Sequence, residues 1–122
     1  MYLSSSEKAA VLRLLTLIIG ADNRVDQKEL EMTRLFCAKL GITPFEAEQS
    51  KCMDNQKALI IASAMTNEEK RIVCALLGVL MIVDGEISEQ ERVAWSIISE
   101  ICEFPKMGIK EADEIVQAFF NE

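Results

Sequence analysis

One stretch of this chain occurs twice. The segment "LLTLIIGADNRVDQKELEMTRLF", from Leu14, lies on "LLGVLMIVDGEISEQERVAWSII", from Leu76. Leu14 and Leu15 fall on Leu76 and Leu77, Asp22 on Asp84, Val25 on Ile87, Asp26 on Ser88, and Glu29 on Glu91. Each copy reads as an apolar helix, a short acidic turn and an amphipathic helix. A repeat of this kind is one supersecondary unit that must bury its apolar face against a neighbour. The chain therefore holds one helical hairpin twice, over 14–36 and 76–98, and its fold must accommodate two related halves.

The remaining sequence agrees with helices. Apolar residues recur at intervals of three and four, and no segment alternates as a strand would. Ser4 with Glu7, Thr43 with Glu46 and Thr66 with Glu69 have the capping-box spacing, and Pro44 stands where a first helical position tolerates proline. Helices are expected at roughly 5–21, 27–40, 44–52, 55–65, 67–83, 89–103 and 109–121. The first, around "LRLLTLII", and the fifth, around "CALLGVLMIV", are apolar on nearly every side and belong at the centre. In the sixth, Ala94, Ile97, Ile98 and Ile101 form a stripe expected to face the core, with Trp95 at its edge. "GITPF" and "EFPKMG" read as loops, and neither has the length of an interdomain linker. The expected fold is all-α: a compact single-domain bundle of about seven helices over 1–122, with two pseudo-symmetric hairpins.

Composition narrows the function. With 122 residues, half of them apolar, the chain can bury a core without disulfides or a structural metal. Its net charge of -7 repels phosphate backbones and anionic lipid, so nucleic acid is not an expected partner. The longest apolar run, "IVCALLGVLMIV", is too short to cross a bilayer, so no membrane insertion is expected. "MYLSSSEK" lacks the parts of an export signal. Cys37, Cys52, Cys74 and Cys102 are widely spaced in a chain without histidine, as for reduced thiols of a cytoplasmic protein. A histidine-free chain with no G-x-S-x-G and no phosphate-binding glycine loop lacks the usual catalytic parts, and the expectation is a monomer that is not an enzyme. The remaining catalytic option is a magnesium-dependent nucleotide hydrolase built on Glu86/Glu89 and Glu111/Glu114.

The chemistry is concentrated in the repeated turn, "GADNRVDQKE" and "IVDGEISEQE". Most of its residues have structural roles. Asn23 and Gly85 suit the left-handed conformation that ends a helix, and Asp26 and Ser88 suit N-caps. Glu29 and Glu91 are placed to complete capping boxes; Val25 can staple onto Leu30, whereas Ile87 meets Arg92. Asp22 and Asp84 are left over, because the negative end of a helix dipole disfavours a carboxylate there. Their recurrence points to hard oxygen ligands for a divalent cation, calcium, magnesium or manganese. The candidate ligands are Asp84, Glu86 and Glu91 in the second turn and Asp22, Asp26 and Glu29 in the first. Arg24 and Lys28 offset the first turn, so the second is expected to bind more strongly. An EF-hand is excluded, since the twelfth positions are Trp95 and Thr33, and one turn alone has too few oxygens without water or the other turn. The competing expectation is capping with solvated charge, in an interaction or scaffold domain for an unidentified protein partner without metal.

On these residues the chain resembles the tellurite-resistance TerB family and its TerB-like relatives. The resemblance runs over nearly the whole chain, with its specific part in the two turns. It implies a compact all-helical fold of two related halves, acidic residues that chelate metal, and a setting in stress response. The matching residues are Asp22 and Glu29 in the first turn, and Asp84, Gly85 and Glu91 in the second.

Overall fold

Helices form where the caps and periodicities place them. The computed structural model describes residues 1–24 and 26–122; Val25 and its staple onto Leu30 lie outside the described residues. The elements are α1 (Ser5–Ile19), α2 (Gln27–Leu40), α3 (Pro44–Cys52), α4 (Asn55–Ser63), α5 (Asn67–Ile82), α6 (Glu89–Ile101) and α7 (Ile109–Phe120), with no strand among the described residues. The N-terminal ends coincide with those expected; in all but α7, which starts after Gly108, side-chain oxygens there bind backbone amides that have no helical partner. Ser4 Oγ accepts from Glu7 N at 3.1 Å while Ser4 N donates to Glu7 at 2.8 Å. Thr66 and Glu69 repeat this exchange at 3.2 and 2.9 Å. Several C-terminal ends fall short of expectation by one or two residues, where the last turn opens into a connection.

One hydrophobic core runs from Leu3 to Phe119. α5 is buried without interruption from Ile72 to Met81, and Leu14, Leu15, Leu76 and Leu77, the equivalent leucines of the repeat, are wholly inaccessible. α1 and α5 touch each other at the centre; α5 packs more extensively on α7, and α1 on α4 and α3. The last helix docks through Ala112, Ile115, Val116 and Phe119, and Phe120 stacks on Phe36 with ring centroids 5.8 Å apart. No helix of the described residues is long and apolar enough to cross a membrane. All four cysteines are free thiols; Cys74 and Cys102 are buried and Cys52 is exposed.

The sixth helix departs from expectation. Ile98 is buried, but Ile97 and Ile101 are about half exposed, at 54% and 50%. The inward face is instead Glu91, Ile98 and Cys102, with Trp95 half-buried between them at helical spacing. A close contact accompanies this orientation: a Cβ on Gly78 would stand 3.0 Å from Trp95 Cζ2, so any larger residue there would press the indole outward by a few tenths of an ångström. Trp95 Nε1 also donates to Cys74 O at 3.2 Å. In the first repeat Thr16 and Thr33 occupy the places of Gly78 and Trp95, so the two hairpins close on different side chains.

Candidate metal centre

Each acidic turn is built the same way. Asp22 Oδ1 accepts from Arg24 N, and Asp84 Oδ1 accepts from Glu86 N, both at 3.0 Å. These are side-chain turns that bridge a left-handed residue, Asn23 at φ 60° and Gly85 at φ 87°. The two aspartates that had no structural role in the sequence thus acquire one, since each holds its turn through a single oxygen. Asp26 caps α2, its Oδ1 accepting from Lys28 N at 2.8 Å and Glu29 N at 3.2 Å, and Ser88 caps α6 by accepting from Glu91 N at 3.0 Å.

The reciprocal half of the expected capping boxes is absent. Among the described residues neither Glu29 nor Glu91 returns to the backbone of its cap; both side chains turn inward, leaving 3% and 2% exposure. The two carboxyls lie against each other across the two halves of the molecule, close enough to share a proton, and among the described residues no other donor reaches the buried Oε2 of either. A buried acceptor left unsatisfied is costly, and two carboxylates in contact cannot both ionise freely. Burial foremost, then the Glu91 carboxyl beside it, then the charges of Asp84 and Asp22, push the Glu29 carboxyl up to about 8. Asp22 moves the other way, because the Arg24 amide, with the Arg24 guanidinium nearby, favours its ionised form.

The turns converge on one cavity of about 200 Å³, lined by Asp22, Arg24, Asp26, Glu29, Asp84 and Glu86. Carboxylate oxygens of Asp26, Glu29 and Asp84 all lie within 4.8 Å of one another. Oxygens bound to a common ion at about 2.3–2.6 Å can stand that far apart. Of the six residues expected from the sequence, five line this cavity, and Glu91 stands against Glu29. The ranking of a strong second turn over a weak first one becomes a question about one shared site. Arg24 is the only base in the lining; its guanidinium is 3.5 Å from Asp22 Oδ2, and its side chain is 71% exposed at the rim. Every donor in the lining other than Arg24 is a carboxylate, and such all-oxygen sets suit calcium, magnesium or manganese over thiophilic metals. Glu89, Glu111 and Glu114, proposed for nucleotide hydrolysis, are exposed and do not line the cavity.

The pairing of Glu29 with Glu91 was not read from the sequence. Its one signal was the recurrence of a glutamate at equivalent positions of the repeat.

No protein-family model matches the chain, and no curated protein matches it significantly. Among solved structures, a crystal structure of a protein of unknown function from Porphyromonas gingivalis W83 is similar, with a TM-score of 0.84 and 25% identity over 100% of this chain and 99% of that chain. The same arrangement of helices therefore recurs in a second sequence.

Proposed function

We propose that the protein is a cytosolic, non-enzymatic helical module that holds one hard divalent cation between its two related halves. Asp22, Asp26 and Glu29 from the first turn, with Asp84 and Glu86 from the second, supply oxygens directly, and Glu91 supports Glu29 from behind. The observation that carries this reading is the pair of buried, unpartnered Oε2 atoms of Glu29 and Glu91 at the meeting point of the two turns. Solvated surface carboxylates would explain Glu86, which is exposed, but not two glutamates withdrawn from water and from their own caps. The reading agrees with what the resemblance to TerB-like proteins implies, and the oxygen-rich donor set favours calcium, magnesium or manganese.

The test is calorimetric titration of the chelator-treated protein with calcium, magnesium and manganese salts, together with melting curves. Saturable binding near one equivalent, lost in Glu29→Gln, is the expected result. A melting curve that none of the three cations moves at millimolar concentration would leave a carboxyl pair sharing a proton as the survivor.

A further inference from the structure

The residue that follows the left-handed position differs in sign between the two turns. Arg24 follows Asn23 and Glu86 follows Gly85, at equivalent places of the repeat, and both line the cavity. Their backbones play the same part, since each amide donates to Oδ1 of the aspartate two residues before it at 3.0 Å. The turn therefore does not require a base at this place, because the second turn is built with an acid. Arg24 adds a contact that Glu86 cannot make. Its guanidinium stands 3.5 Å from Asp22 Oδ2, so one residue holds both oxygens of Asp22, Oδ1 through its backbone and Oδ2 through its side chain. Among the described residues no basic side chain pairs with Asp84.

The two contacts to Asp22 differ in permanence. The Oδ1 contact belongs to the turn and survives any substitution that keeps an amide. The Oδ2 contact lies at the outer limit of a hydrogen bond and is made by a side chain that is 71% exposed, although the Asp22 side chain is only 8% exposed. Exposed pairs of this kind shift an equilibrium by up to about fivefold, and among the described residues the guanidinium has no second hydrogen bond to hold it there. Oδ2 is also the one oxygen of Asp22 that the turn leaves for a ligand. A divalent cation that shares Asp22 with Asp26, Glu29 and Asp84 takes this oxygen and repels the guanidinium by like charge, and the long exposed side chain has solvent to swing into. We propose that Arg24 is a tethered competitor for the cation: it holds Asp22 Oδ2 until a divalent cation enters, is then displaced, and so sets the concentration at which the site fills. This rests on the cation site proposed above.

The test is calorimetric titration of the chelator-treated full chain with calcium, magnesium and manganese salts, in the wild type, Arg24→Gln and Lys28→Gln. Arg24→Gln keeps the backbone N–H that closes the turn, so the melting temperature in chelator should stay in place while affinity for the cation rises about two- to fivefold. Lys28→Gln removes the same charge from the same turn, at an exposed side chain that does not line the cavity, and should change affinity less. The Nε–Hε resonance of Arg24, identified by its loss in Arg24→Gln, should shift saturably and in step with the heat of binding. Equal gains in the two variants would reduce the effect to net charge and overturn the proposal. Weaker binding in Arg24→Gln, or an Arg24 resonance that the cation does not move, would make the guanidinium a support of the site and overturn it equally. A wild type that binds with the same affinity as Arg24→Gln would remove the competitor and leave the cation site standing, whereas no binding in any of the three proteins would remove both.

Discussion

Five helices of this chain carry a glutamate three residues after a Ser, Thr or Asp cap, and they divide into two kinds. In α1, α3 and α5 the glutamates Glu7, Glu46 and Glu69 fold back onto the cap backbone at 2.8–2.9 Å and close the helix locally. In α2 and α6 the glutamates Glu29 and Glu91 leave their caps, cross into the interior and meet each other. The local motif is the same. What differs is the neighbour: Glu7 and Glu69 border solvent or the partly covered rim, and Glu46 also accepts from Ser5 Oγ at 2.9 Å, so each carboxylate is satisfied by donors. Glu29 and Glu91 face acids. A carboxyl that gives up an available amide for an acidic interior is the feature on which the proposed cation site rests.

Expected outcomes follow from this contrast, the largest first. Leu15→Ala and Leu77→Ala, in the wholly buried leucine pairs of the repeat, should each cost about 2–5 kcal/mol in denaturant unfolding, equally with and without divalent cation. A cation-dependent cost at either position would mean that the core and the acidic turns are not separate stabilising systems.

Cation binding should sort the glutamates into their two kinds. At a hundredfold excess over Kd a cation stabilises the native state by about 2.7 kcal/mol. Glu29→Gln and Asp84→Asn should remove most of that gain, and Glu69→Gln none of it. Asp22→Asn sharpens the question of one site or two, because a shared cavity requires that it too weaken binding. An unchanged affinity in Asp22→Asn would return the function to the second turn alone, as the balance of charge along the sequence suggests.

The pH dependence should also separate them. Glu29 has an ordinary value of 4.5 and is raised to about 8 in the folded protein. Within that window the unfolded chain has released the proton and the folded one retains it, so folding takes up a proton. The stabilisation is complete below 4.5 and declines as pH rises, until it is gone above about 8. In chelator the melting temperature should therefore fall across this window, and the fall should be shallower in Glu29→Gln. A bound cation must displace the same proton, so affinity should rise with pH over the range where intrinsic stability falls. Calorimetry in buffers of different ionisation enthalpy would detect the released proton, and its absence would place the cation away from Glu29.

The smallest effect belongs to the ordinary caps. Thr66→Ala should cost about 0.5–2 kcal/mol, with no dependence on cation and none specific to the window of Glu29. A cation-sensitive penalty there would dissolve the distinction between the two kinds of turn.

How much of this was legible in the sequence depends on how far each interaction reaches along the chain. The seven helices, their caps at Ser4, Thr43, Thr66, Asp26 and Ser88, and the left-handed residues Asn23 and Gly85 were readable because each rests on contacts within a few residues. The centrality of α1 and α5 was readable from apolar residues all round each helix. The rotation of α6 was not, since Ile97 and Ile98 are equally apolar, and the decision between them fell to Trp95 lying on Gly78 of another helix. Nor was the direction of Glu29 and Glu91. A capping box and a buried carboxyl pair share one spacing, and only the packing of two hairpins, 62 positions apart in the alignment of the repeat, determines whether the carboxyl finds its own backbone or its counterpart. Short-range hydrogen bonds and periodicity were thus fixed by the chain alone, while the meeting of like charges was decided by tertiary packing, which sets the desolvation and the neighbours that a side chain cannot encounter locally.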